Sequence, residues 1–403
     1  MSIVAAPANR SNVSVWVAFV LLILGTIAAY QIVGTNQALL FLVGGALGMT
    51  LYHASFGFTS SWRVFIKERR GRGLRAQMIM LALAVLLFFP ALGAGELFGN
   101  PVKGNVNPVS MSVMIGAFIF GIGMQLGGGC ASGTLYTVGS GSARMIVTLI
   151  FFCTGSLIAT SHLQWWFDLP HFAPISLVTS LGVVPALVLN FVLFALIAAA
   201  TVYFEKKRHG NLETEPQSDT QGFRRFLRGP WPLVWGGIIL TLLNFATLAL
   251  AGRPWGVTSA LAVWSAKSAN LIGIDVASWD YWQQPSNAKA LAESLWFDIT
   301  SMMNFGIMLG ALLAASLAGK FAPNFNIPKR SLIASVIGGL LLGYGARLAY
   351  GCNIGAYFSG IASGSLHGWL WLIFAFIGNG IGVKLRPIFF PGERPQPEKL
   401  TGC

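Results

Sequence analysis

MIGAFIFGIGMQLGGGCASG (residues 114–133) returns without gaps as VIGGLLLGYGARLAYGCNIG (336–355), and this repeat decides how the chain is read. Gly116, Gly121, Gly123, Gly129, Cys130 and Gly133 fall on Gly338, Gly343, Gly345, Gly351, Cys352 and Gly355. With one residue inserted, SGS (140–142) also falls on SGS (363–365). Each copy starts as an apolar helix and runs into glycines, each of which costs a continuous helix about 1 kcal/mol relative to alanine. The pattern therefore predicts two helices broken at matched places, Gly129–Cys130 and Gly351–Cys352.

Composition sets the solvent. Of the 403 residues, 55% are hydrophobic and only 10% are charged, where soluble domains carry roughly 25% charged residues. Apolar stretches recur at 15–33, 76–92, 176–203, 299–318 and 369–383, and a membrane helix needs about 20 such residues. The expected fold is an all-α polytopic membrane protein with about ten transmembrane helices. The net charge of +13 sits in short loops, KERRGRGLR (67–75), EKKRH (205–209), FRRFLR (223–228) and PKR (328–330). That distribution marks a cytoplasmic face and argues against a nucleic-acid partner. The first apolar run reads as a retained helix rather than a cleaved signal.

Tracing the crossings from these loops leaves both termini cytoplasmic. It divides the chain into a first membrane half (1–204), a basic cytoplasmic linker (205–229), a second half (230–386) and a cytoplasmic tail (387–403). The first copy of the repeat then runs inward and the second outward. Two shorter phrases, FGFTSSWRVF (56–65) and PWGVTSALAVW (254–264), match each other at Gly57, Thr59 and Ser60 against Gly256, Thr258 and Ser259. They too start from opposite faces. This is an inverted-topology repeat, and its shared site is expected near the midplane.

Broken helices persist in a membrane only where protein or a cavity surrounds the freed backbone. The half-helices after each break would present free N–H groups and a positive dipole end to an anion. Small or polar residues come after each cysteine: Ala131, Ser132 and Gly133 in one copy, Asn353 and Gly355 in the other. They would let a ligand approach the backbone beside Gly129 and Gly351. The Cys130 and Cys352 thiols are soft, polarizable weak donors suited to a sulfur-bearing ion. Arg347 precedes Cys352 where Gln125 precedes Cys130. An intramembrane arginine is a functional candidate, with Asp298 as its expected counter-charge. Cys153, His53 and His367 read as packing residues.

Enzyme signatures are missing from the sequence. It contains no C-x-x-C, no H-E-x-x-H, no Cys/His metal spacing and no Walker A phrase. No cofactor is expected. A rival reading keeps Cys130 and Cys352 as a redox pair that forms a disulfide, and another makes the chain a structural membrane subunit.

LGGGCASG, GYGARLAYGCNIGAYFSGIASGSLHGW (343–369) and FTSSWR (58–63) give the chain its family likeness. It resembles the YeeE/YedE family of sulfur-transport membrane proteins. The resemblance implies an hourglass-shaped helical permease with re-entrant elements, moving thiosulfate or a related sulfur compound inward across the bacterial inner membrane. It implies that Cys130 and Cys352 hydrogen-bond transiently to the ion. Thiosulfate-transporting members carry a further cysteine just before the Thr-Ser phrase, where this sequence has Gly57 and Phe58. Thr59, Ser60, Thr258 and Ser259 are the donors available in its stead. The substrate therefore stays open among thiosulfate, other sulfur oxyanions, sulfide-like species and selenium compounds. Some members work beside a small cytoplasmic sulfur-carrier protein, which here would be a separate chain.

Overall fold

The computed structural model describes residues 12–215 and 222–391. Its main helices are α1 (Asn12–Ile32), α2 (Thr35–His53), α3 (Phe58–Glu68), α4 (Arg72–Ala94), α5 (Met111–Gly127), α6 (Ala131–Gly139) and α7 (Ala143–Thr160). They continue as α8 (Val183–His209), α9 (Leu233–Ala251), α10 (Thr258–Leu271), α11 (Ile299–Leu317), α12 (Lys329–Leu348) and α13 (Leu366–Phe389). Between α12 and α13 lie a π-helical turn, Asn353–Phe358, and a short helix, Ser359–Ala362. Among the described residues, ten stretches are long and apolar enough to cross a membrane. Thr35–Glu68, Met111–Gly139 and Lys329–Ala362 are among them, and each contains a break. Strand is limited to two pairings of two-residue segments among the described residues.

Local chemistry sets the helix ends. The Val113 N–H donates to Ser110 Oγ at 3.2 Å and starts α5, one of the orphan donors at a helix N-terminus satisfied by a side chain. Gly95 and Gly252 adopt left-handed conformations that close α4 and α9. The run 176–203, expected as one span, divides at Gly182 (φ +86°), so that α8 begins at Val183. The helix then continues through His209, into what the sequence suggested was linker. A short helix, Gly222–Arg228, carries the second basic cluster. Residues 216–221 of that linker, and 392–403 of the expected tail, lie outside the described residues.

The two copies of the repeat cross each other. By alignment Gly116 corresponds to Gly338 and Gly123 to Gly345, but in space the partners are exchanged. A Cβ on Gly116 would strike Gly345 and Leu348, and one on Gly123 would strike Gly338 and Leu342. Such an exchange, i touching j and j touching i, is what a two-fold relation produces. It also requires α5 and α12 to run antiparallel. The neighbouring contacts obey the same relation. Gly121 of α5 abuts Ala375 and Asn379 of α13, while Gly343 of α12 abuts Phe152 and Ser156 of α7. Gly155 meets Leu340, and Gly378 meets Phe118. Further out, α2 packs on α11 and α9 on α4, with α1 against α11 and α8 against α4.

The basic loops collect at one end. Glu205 at the end of α8 is buried and accepts from Arg75 (2.6 Å), Arg70 (3.3 Å) and the Gly71 N–H (3.0 Å). At the same end the Trp231 N–H donates to His53 O at 2.8 Å, joining the start of α9 to the end of α2. The opposite end is closed by the loop after α4, where the Lys103 N–H donates to Gly252 O at 2.8 Å.

Within lipid, helices associate through close packing of small residues rather than hydrophobic driving force. Gly343→Val should therefore destabilise the detergent-solubilised protein by about 1–3 kcal/mol through overpacking, whereas Gly380→Ala, whose added methyl meets nothing within 4 Å, should not. Thermal unfolding of the two variants checks this, and equal behaviour would show that the contact between α7 and α12 is not tightly packed.

Candidate functional site

Both breaks are built by glycine in conformations that other residues rarely adopt. In the first, Gly128 (φ +93°) caps α5, its N–H on Met124 O at 3.0 Å. In the second, Gly351 sits at φ +149° and Tyr350 at +56°. A Cβ on Gly351 would press on the Ala356 nitrogen at 2.8 Å, and one on Gly129 would lie 3.3 Å from the Thr134 nitrogen. Glycine before each cysteine thus lets the next turn fold back onto the break.

Each cysteine then caps the turn that succeeds it. Cys130 is extended (φ −82°, ψ −170°), and its Sγ accepts the Gly133 N–H at 3.4 Å and lies 3.4 Å from Ser132 Oγ. Cys352 repeats the conformation (φ −107°, ψ −166°), its Sγ accepting the Ile354 N–H at 3.4 Å. Both are buried thiols outside any disulfide. The two capped turns meet, since α6 packs against the π-helical turn. Ala131, Ser132 and Gly133 are buried on one side of this meeting, with Asn353 and Gly355 on the other. Among the described residues, no group of three or more His, Cys, Asp or Glu side chains could hold a metal ion.

The residues before the cysteines tie each break to the Thr-Ser helix of its own copy. Gln125 donates from Nε2 to Thr59 O and to Asn379 Oδ1, each at 3.1 Å. At the matching position Arg347 donates from Nη2 to Thr258 Oγ1 at 2.9 Å and from Nη1 to the Tyr281 hydroxyl at 3.3 Å. Asp298 does not serve as its counter-charge. That carboxylate accepts the Ser301 N–H at 3.0 Å as the cap of α11, and the charges it acts on are Arg253 and Lys267. Among the described residues Arg347, 9% exposed, has no carboxylate within ion-pair distance, and its Nε has no partner. A buried guanidinium held only by neutral oxygens leaves charge available to an anion.

The four hydroxyls of the Thr-Ser phrases divide. Thr258 accepts from Arg347, and Thr59 Oγ1 is buried without a partner. The other two are bonded within their surroundings: Ser60 Oγ donates to Gly57 O at 3.2 Å and Ser259 Oγ to Thr300 Oγ1 at 3.1 Å. Sequence reasoning missed the loop after α4. Its Asn105 donates from Nδ2 to Gly355 O at 2.6 Å and from N–H to Ser363 Oγ at 2.8 Å, so it closes over the second break. Asn107 Nδ2 lies 3.3 Å from His367 Nε2 beside it. The two asparagines of GNVNP were the available signal, but no repeat or motif pointed to them.

Asn353 is fully buried with neither amide atom hydrogen-bonded within the protein. An unpaired buried polar group costs about 1–3 kcal/mol. Asn353→Leu should accordingly raise the thermal unfolding midpoint in detergent, and a lowered midpoint would mean that the amide holds the turn.

Comparison with known proteins places this geometry. A family model described as Sulphur transport matches residues 53–381. The chain is 29% identical over 354 residues to "Thiosulfate transporter TsuA" of Spirochaeta thermophila, covering 84% of this chain and 95% of that protein. It is 24% identical over 346 residues to "Thiosulfate transporter TsuA" of Escherichia coli, covering 84% of this chain and 91% of that protein. A shorter match, 33% identical over 162 residues, joins 40% of the chain to 39% of "Probable transporter YedE" of Escherichia coli.

Proposed function

Because the chain belongs to the Sulphur transport family, we propose that it is a permease that takes up thiosulfate or a closely related sulfur-containing anion. The reading places it in the bacterial inner membrane, basic loops and both termini on the cytoplasmic side. The names of the relatives supply thiosulfate as the first substrate to try. The observation that carries the mechanism is the pair of buried thiols, each capping a helix break, on turns that pack against one another.

At each break the thiol holds a backbone N–H through a long, weak bond to sulfur, 3.4 Å in both copies. An anion entering the break exchanges that bond for a stronger one. Its oxygen takes the N–H of Gly133 or Ile354, and the displaced S–H donates to the ion in turn. Charge-assisted hydrogen bonds are roughly twice as strong as neutral ones, so the exchange offsets part of the ion's dehydration. The second break carries the charge of Arg347, while Gln125 holds the matching place neutral in the first. The ion is thus attracted at one station and released from a weaker one, with no covalent intermediate. Where Gly57 replaces the family's further cysteine, the unpaired Thr59 hydroxyl is the donor nearest that phrase. The second membrane unit begins at α8 in this reading, because α8 stands against α4 as α1 stands against α11.

Growth on thiosulfate as sole sulfur source, in a strain lacking its other uptake routes, tests the proposal. Cys130→Ala and Cys352→Ala should each abolish growth rescue, and unchanged rescue by either would end the relay. Arg347→Gln should lower thiosulfate uptake by about tenfold or more, the worth of one charged hydrogen bond, with partial recovery in Arg347→Lys. Sulfite, selenite and sulfate in the same assay define the substrate range. A redox protein that pairs Cys130 with Cys352 is the rival reading, favoured by the contact between the turns they cap. Alkylation mapping separates the readings, since a reversible Cys130–Cys352 disulfide during turnover would favour the redox protein.

A further inference from the structure

Four hydrogen-bond donors beside the second break have no partner within the protein: Tyr357 OH, Trp371 Nε1, Gln77 Nε2 and Thr59 Oγ1. All four residues are at most 2% exposed. They belong to one packed group centred on Trp62. The Tyr357 and Trp371 rings stack at 6.1 Å and 7°, and Trp62 contacts both, at 6.1 and 6.4 Å. Phe58 meets Tyr357 edge-on at 5.9 Å, which puts Thr59, the next residue, alongside. Tyr357 lies on the π-helical turn that Cys352 caps, so the group is continuous with the break.

The chemistry of the unpaired atoms is one-sided. Trp62 Nε1 can only donate, and it donates to Gln77 Oε1 at 3.0 Å. That bond fixes the orientation of the amide and consumes its acceptor, leaving the NH2 group free. An indole N–H is likewise only a donor. The Tyr357 and Thr59 hydroxyls can donate or accept, and none of these side chains is a carboxylate, so all four can donate to an anion at once.

The repeat shows that packing does not require this arrangement. Under the same alignment Tyr357 corresponds to Leu135, Trp62 to Leu261 and Trp371 to Thr148. Two of those counterparts are apolar, and the Thr148 hydroxyl is already bonded to Gly127 O at 3.3 Å. At these matched positions the protein packs without orphan donors. The group around Trp62 keeps four, two from each membrane half, although each unpaired buried donor costs about 1–3 kcal/mol.

We propose that these donors form a third anion station, an aromatic-walled cage that binds the sulfur oxyanion beside Cys352. The station rests on the permease reading above. Tyr357, Trp371, Gln77 and Thr59 donate to the oxygens, while Phe58 and Trp62 pack on Tyr357 and hold its ring in place.

The test measures thiosulfate uptake against concentration in the full chain, with the melting temperature of each purified variant. Tyr357→Phe and Trp371→Phe each delete one donor and keep an aromatic ring. Both should raise the half-saturating thiosulfate concentration by about tenfold, with melting temperatures unchanged or higher, because an unpaired group has been removed. Unaltered uptake in both variants overturns the cage, as does a lowered melting temperature accompanying the loss, which would give these groups a structural role. Thiosulfate uptake by the unaltered chain that Cys352→Ala abolishes and Tyr357→Phe leaves intact defeats the cage alone. No thiosulfate uptake by the unaltered chain defeats the permease reading and the cage together.

Discussion

Glycine set against backbone, where α5 crosses α12, is the constraint on which the rest of this structure depends. Gly116 on Gly345 and Gly123 on Gly338 bring the two helices closer than any side chain would allow. In a membrane that proximity is the main source of association, because lipid leaves no hydrophobic gain between helices. The antiparallel crossing sets where α5 and α12 end, and so where the two breaks sit; the turns after the breaks then fold back until α6 touches the π-helical turn. A cysteine caps each break and a Thr-Ser helix is bonded beside it.

Pseudo-symmetry builds the site, and departures from symmetry give it chemistry. The frame is duplicated down to exchanged contacts such as Gly155 on Leu340 and Gly378 on Phe118. Against that frame the differences are local. Arg347 stands where the other copy has Gln125, and Tyr357 where it has Leu135. Both differences add positive charge or donors to the second break. A duplicated fold can thus keep one packing solution while its two breaks differ in charge and hydrogen-bonding groups.

Much of this was legible in the sequence, for physical reasons. Membrane helices are long apolar runs, so their existence needed only composition and the length rule. The repeat announced itself because glycine at a close crossing or a left-handed turn admits few substitutes, and Gly129 and Gly351 are held by that demand. What escaped was partner choice across distance. Asp298 was the obvious counter-charge for Arg347 on a count of intramembrane charges, yet it caps α11 and leaves the guanidinium to Thr258 and Tyr281. Asn105 closes over Gly355 from a loop that periodicity cannot place. The π-helical turn after Cys352, and the unpaired state of Asn353 and Tyr357, depend on tertiary packing that no local pattern encodes.

The central claim is that the two capping thiols are the ion's contact points. An experimental structure of the chain determined with thiosulfate bound tests it most directly. The account predicts the anion within hydrogen-bond distance of Cys130 Sγ or Cys352 Sγ, with the Gly133 or Ile354 N–H turned from sulfur to the ion. An anion bound only in the terminal loops, with both N–H groups still on sulfur, or a Cys130–Cys352 disulfide in its place, would contradict it.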